Sequence, residues 1–297
     1  VRQKFAVLLL LPVLVMASAA AGPEPLIRKR VSEVRFTLVA TDQNNRPLPS
    51  LSPADIVVLE DGEPVPRFDL RSAADLPLRI GVVLDLSDST LKSWALVQDS
   101  LPRALQTVMR PDDALLVMTF NSRVQTEKTL QAPGELRAAL QKPPAGGLTA
   151  LYDTLYRACD HPMFLGEGEP HRSALILFSD GEDDLSLHGA SEAITRAQRS
   201  GIAIYTIASH DPRKELDGDW VLREFAESTG GRDFVVNDGA QLQEALSVIN
   251  EELRHSYLLY YRVAEPAGPG AFRRVRVIST QSRDFRIRSR KGYFPAP

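Results

Sequence analysis

The stretch Ile80-Gly81-Val82-Val83-Leu84-Asp85-Leu86-Ser87-Asp88-Ser89-Thr90 decides how this chain reads. Its unbroken apolar run predicts a strand buried on both faces, as in a parallel sheet covered by helices on each side. That strand delivers Asp85, Ser87 and Ser89 at its carboxyl end, just ahead of a helical pattern. Three short oxygen-bearing side chains at alternate positions suit a hard divalent cation. Mg²⁺ prefers near-octahedral oxygen coordination and keeps waters readily, so a few hydroxyls and carboxylates on adjacent loops suffice to hold it.

Outward from this strand, apolar runs at 113–120, 173–179, 202–207 and 233–236 alternate with helical patterns at 91–109, 133–141, 150–159, 190–199, 221–228 and 241–254. The rhythm predicts a doubly wound α/β domain over 78–255, with a mainly parallel sheet and helices on both faces. Residues 124–130, after a turn at Asn121-Ser122, are expected to run antiparallel, and Pro102 to kink or restart its helix. The flanks carry strand patterns without helices. In 22–77, Asp61-Gly62 between two apolar runs predicts a hairpin. In 256–297, strands are expected at 256–263, 272–279 and 284–289, and the two flanks are expected to pair into one small accessory β region.

With 297 residues, 43% apolar and 25% charged, the composition is that of a globular protein. Residues 1–21 have the charged, apolar and small-residue regions of a secretory signal peptide, which predicts an exported protein, periplasmic or secreted. After its removal no stretch is long and apolar enough to span a bilayer. Cys159 is the only cysteine, so no intrachain disulfide forms, and it reads as a small core residue. The histidines at 161, 171, 188, 210 and 255 show no zinc-like spacing. Residues 271–291 carry eight basic side chains against one acidic, alternating with Val275, Val277, Phe285 and Ile287. They read as solvated strand faces, the alternative being a basic stripe that gives an envelope protein its grip on an anionic surface. No aromatic-basic motif points to nucleic acid.

In open α/β sheets ligands bind outside the carboxyl ends of the strands. Asp85, Ser87 and Ser89 lie at one such end and Asp180 at another. Gly146-Gly147-Leu148-Thr149 brings a further hydroxyl just before a helix. Each has a structural role open to it: Ser89 or Thr90 and Thr149 as helix caps, Asp180-Gly181 as a turn. Their order and shared placement favour a common site.

Asp85-x-Ser87-x-Ser89, Thr149 of Gly-Gly-Leu-Thr-Ala-Leu-Tyr-Asp and Asp180 of Phe-Ser-Asp-Gly-Glu-Asp resemble the metal-ion-dependent adhesion site (MIDAS) of von Willebrand factor type A domains. The whole chain is similar to exported bacterial proteins of that type, through Leu59-Glu60-Asp61-Gly62 and the closing Arg290-Lys291-Gly292-Tyr293-Phe294. The resemblance implies one divalent cation, Mg²⁺ first with Mn²⁺ or Ca²⁺ as alternatives. Ser87, Ser89 and Thr149 would be direct ligands, and Asp85 and Asp180 would bind directly or through water. It also implies a partner protein whose Asp or Glu completes the metal shell. Asp88 departs from the family, in which a small neutral residue is common there, and Glu182, Asp183 and Asp184 add nearby charge.

Catalysis is not expected. A haloacid-dehalogenase-like phosphohydrolase needs a second carboxylate where Ser87 stands. The nearest approach to Gly-x-Ser-x-Gly, residues 177–181, lacks its first glycine.

Overall fold

The computed structural model describes residues 31–130, 134–140, 146–165, 170–264, 270–280 and 285–295. The expected signal peptide at 1–21 lies outside the described residues. The chain opens with β1 (Val31–Thr41), β2 (Ile56–Glu60), β3 (Glu63–Pro64) and β4 (Phe68–Ser72). Asp61 and Gly62 link β2 to β3 with φ of 50° and 93°, the positive values a two-residue hairpin turn requires.

The α/β region follows: β5 (Leu78–Asp85), α1 (Trp94–Val108), β6 (Ala114–Phe120), β7 (Val124–Leu130), α2 (Gly134–Ala139), α3 (Leu151–Cys159) and α4 (Pro162–Leu165). After these come β8 (Arg172–Phe178), α5 (Ala190–Ser200), β9 (Ala203–Ser209), α6 (Asp217–Thr229), β10 (Asp233–Val236) and α7 (Gly239–Arg254). The sheet order is β10-β9-β8-β5-β6-β7, parallel throughout except for β7, which runs antiparallel to β6.

β5 lies inside this sheet, and both of its faces are covered. Ile80, Val82 and Leu84 pack with Leu101 and Leu105 of α1 and Leu246 and Ile249 of α7, while Val83 packs with Leu151 and Leu155 of α3. At about 1.5–3 kcal/mol for each large apolar side chain fully buried, the run is a main source of the domain's stability. Gly81 is part of that packing: a Cβ there would stand 2.3 Å from the Leu175 side chain. α1 continues through Pro102 as a single helix, where the sequence predicts a kink or restart, and a 3₁₀ turn at Leu91–Ser93 precedes it.

The chain ends with β11 (Tyr257–Ala264), β12 (Arg273–Ser279), β13 (Arg286–Ser289) and β14 (Gly292–Tyr293). Strands from both flanks interleave in two sheets, β13-β1-β11-β4 and β14-β12-β2-β3. Phe36, Leu38, Val58, Leu259, Tyr261 and Val275 are buried together in their core.

The basic tail divides. Arg274, Arg276 and Arg286 are exposed, as alternation predicts. Arg288 and Arg290 instead turn toward the α/β region, a correction to the reading of solvated faces. Arg288 pairs with Glu252 of α7, which is fully buried and also reaches Arg232 at 3.4 Å. Arg290 lies 4.4 Å over the Phe36 ring and donates to the carbonyls of Gln198 and Arg35. These strands pack their outer face on a second layer, so alternation describes only one of their two environments.

Removing one partner from a buried ion pair leaves the other charge uncompensated, at a cost of about 3–5 kcal/mol. Glu252→Ala is therefore expected to lower unfolding stability by that amount in urea denaturation. A loss under about 1 kcal/mol would be that of a surface pair and would refute the assignment.

Candidate metal centre

The chain passes from β5 outward to β6 on one side and to β8 on the other, so strand order reverses between β5 and β8. The crevice outside their carboxyl ends is the switch point at which such sheets bind ligands. Asp85 ends β5, and Asp180 lies just beyond β8.

Asp85 is buried, and protein donors hold both of its oxygens. The Ser87 amide donates to Oδ1 at 2.9 Å, and the Ser179 hydroxyl donates to Oδ2 at 2.6 Å. Thr90 Oγ1 stands 2.9 Å from the Asp85 carbonyl and 3.1 Å from the Ser87 carbonyl, folding the chain back on itself. The fold-back brings Ser87 Oγ and Ser89 Oγ to 3.3 Å. Ser179 Oγ accepts from the Gly181 amide at 3.1 Å, and Asp180 Oδ1 accepts from the Glu182 amide at 3.2 Å. The Asp180 turn is thus real, and it aims a carboxylate into the same crevice: Asp85, Ser89, Ser179 and Asp180 all line it.

The loop carrying Thr149 is tied to both others. The Asp88 amide donates to the Gly147 carbonyl at 3.1 Å. Gly146, at φ 75°, lies so close to Asp88 that a Cβ would sit 1.9 Å from Oδ1. Asp88 therefore packs over the glycine loop while remaining exposed. From the end of β6, Asn121 donates to the Gly146 carbonyl at 2.6 Å and accepts from the Ala150 amide at 2.8 Å. On the other side Asp184 Oδ2 accepts from the Thr149 amide at 2.9 Å, and Asp183 Oδ1 accepts from the Leu151 amide at 2.7 Å. No side chain of the Thr149 loop caps α3; Asp183 does so from the loop after β8, and Thr149 is buried between.

Burial pushes the Asp85 carboxyl up to about 6, its hydrogen bonds pull it partly back, and the neighbouring Asp180 charge raises it. No Lys, Arg or His is among the described residues lining the crevice. A desolvated carboxylate beside a second one, facing hydroxyls and lacking a cationic side chain, fits a cation at that place. Among the described residues no three acidic, histidine or cysteine side chains gather as a metal cluster, so any donor set here is built mainly of hydroxyls.

Sequence reasoning passed over Ser179, Asn121 and Gly218. Ser179 stands beside the quoted Asp180, but its bond to Asp85 depends on β5 and β8 being neighbours. Gly218 opens α6 where a Cβ would meet the Asp180 carbonyl at 1.8 Å, so the helix start presses on the Asp180 loop.

The model of the von Willebrand factor type A domain family matches residues 80–248, more than half of the chain. The chain belongs to this family. Among solved structures, a mussel byssus protein, proximal thread matrix protein 1 with a zinc-occupied MIDAS motif, aligns at 17% identity and a TM-score of 0.51. That alignment covers 67% of this chain and 50% of the mussel protein. The conserved hypothetical protein BatB of Bacteroides thetaiotaomicron aligns at 17% identity and a TM-score of 0.48, over 59% of this chain and 98% of its own. Comparison with curated proteins returns no match. At this identity the mussel protein speaks for the fold alone.

Two outcomes follow for the type A domain. Asp85 binds its proton more tightly when folded than at its ordinary 3.8, so ionising it weakens the fold as pH rises from about 4 to about 6, by about 3 kcal/mol in all. In chelator, the stability of Asp85→Asn relative to the parent should therefore climb across that window and level off above it. A flat difference between pH 4 and 7 would remove desolvation as the cause. Gly218→Ala should cost about 1–3 kcal/mol by overpacking and weaken cation binding, whereas Gly239→Ala, whose Cβ meets nothing nearer than 3.4 Å, should do neither. Thermal unfolding and calorimetric titration with Mn²⁺ check both.

Proposed function

We propose that the type A domain, residues 78–255, is a cation-dependent protein-binding module. It is exported by the signal at 1–21 and framed by the β segments 22–77 and 256–297. The observation that carries this reading is the desolvated Asp85 carboxylate beside Asp180 in a crevice that Ser89, Thr90 and Ser179 also line, with no basic side chain among the described lining residues. Ser87, Ser89 and Thr149 would hold the ion by their hydroxyls, and Asp180 by its carboxylate. Asp85 already accepts from the Ser87 amide and the Ser179 hydroxyl, which suits contact through water. When bound, Mg²⁺, Mn²⁺ or Ca²⁺ supplies a Lewis-acidic position that a carboxylate from outside can complete.

Exposed apolar side chains on the segments that carry the site support a protein partner. Leu148 next to Thr149, Leu187 beyond Asp180 and Trp220 near the start of α6 are 54%, 93% and 63% exposed. Apolar and aromatic side chains flanking a polar centre are the composition of an interface core. A partner Asp or Glu set among apolar residues would match those side chains. Among the described residues no helix is long and apolar enough to cross a membrane. The anionic-surface alternative loses Arg288 and Arg290, which are engaged internally, while Arg274, Arg276 and Arg286 are exposed.

The test is calorimetric titration of chelator-treated protein with Mg²⁺, Mn²⁺, Ca²⁺ and Zn²⁺, beside Asp85→Ala and Thr149→Ala. Saturable binding in the parent, weakened at least about tenfold in both folded variants, is expected. Cation binding that both variants retain unchanged would place the ion elsewhere and refute the site.

A further inference from the structure

At the opposite end of the sheet from Asp85, the accessory β region and the amino ends of β8 and β9 enclose a cleft of about 310 Å³. One water needs only about 10–15 Å³ measured in this way, so the space holds far more than an isolated solvent molecule. Its polar lining is strongly one-signed. Arg35 comes from β1, Arg172 from the start of β8, Arg199 from the end of α5 and Arg290 from the segment after β13, and no Asp or Glu is among the described lining residues.

These guanidiniums are not neutralised by the protein. None of the four forms a salt bridge among the described residues. Asp113 is the carboxylate whose charge reaches Arg172, but it already pairs with Arg254 and accepts from the Leu78 amide at 2.7 Å. Arg172 is only 3% exposed; its terminal nitrogens donate to Ser256 Oγ and the Leu76 carbonyl, and its Nε is buried with no partner. Arg290 repeats the pattern, with both terminal nitrogens on carbonyls and a buried, unpartnered Nε. Desolvation without a counter-ion draws both guanidiniums down to about 10. Both side chains line the cleft, so it presents guanidinium charge that no carboxylate of its described lining offsets.

We propose that this cleft is a binding site for a small oxyanion, phosphate, sulfate or carboxylate, with Arg35, Arg172, Arg199 and Arg290 as its counter-charge. Planar guanidiniums match the paired oxygens of such groups, and a low-dielectric wall strengthens each bond. Thr37 and Ser173 add hydroxyls to the lining. Because the residues come from both the accessory region and the type A domain, the bound anion clamps the two together.

The experiment uses the full chain in chelator, so that no anion is read through a metal. Inorganic phosphate, sulfate and citrate are titrated calorimetrically at constant ionic strength, with chloride as the control. Arg35 and Arg199 are exposed at the mouth, so the double variant Arg35→Gln/Arg199→Gln is expected to fold, which circular dichroism checks. Saturable binding of at least one anion is expected, weakened about tenfold or more in the double variant and unaltered in Asp85→Ala. Absence of saturable binding for all three anions would overturn the proposal. So would full binding by the folded double variant, or a loss caused by Asp85→Ala.

Discussion

A carboxylate held out of water at the end of a fully buried strand sets the terms for everything around it. β5 is apolar because helices cover both of its faces, and that same burial strips solvent from Asp85 at its last residue. The protein compensates only in part, with one amide and one hydroxyl. The remaining deficit is electrostatic, and it lies where strand order reverses and three loops meet. Core packing and the desolvation of Asp85 therefore have one origin.

The three loops are fastened to one another rather than to the sheet alone. Asp183 and Asp184, which look in sequence like surplus negative charge beside a metal, accept from amides at the start of α3 and so lock the Thr149 loop to the Asp180 loop. Asp88 holds the glycine loop by its backbone, its amide donating to the Gly147 carbonyl. Charge spent on backbone donors contributes less repulsion toward an anionic partner than free carboxylates would. Asp183 and Asp184 are accordingly part of the scaffold.

What the sequence made legible depended on local signals. The unbroken run at 80–84, the strand–helix alternation and the Asp61-Gly62 turn each encode their structure within a few residues, and each corresponds to an observed element. Ser179, Gly218 and Asn121 were not legible because their roles arise from neighbours distant in the chain: β5 beside β8, α6 against the Asp180 loop, β6 beside the glycine loop. Alternation in the basic tail was misleading for Arg288 and Arg290, since a period of two marks opposite faces without saying what covers the second. The short strand at Gly292–Tyr293 went unrecognised for lack of length, although Tyr293 is buried in the accessory core.

The interleaving of the two flanks also governs how the chain must come together. Among the described strands, β1 pairs with β11 and β13, β4 with β11, and β2 with β12 and its hairpin partner β3. The entire type A domain lies between these strands in sequence, so the first strands made wait for the last. Contacts of such separation close slowly, and unpaired strand edges left open meanwhile are templates for association between chains. The type A domain can assemble from local βα units during that interval. Pairing of the accessory strands therefore waits until β11 to β14 have been made.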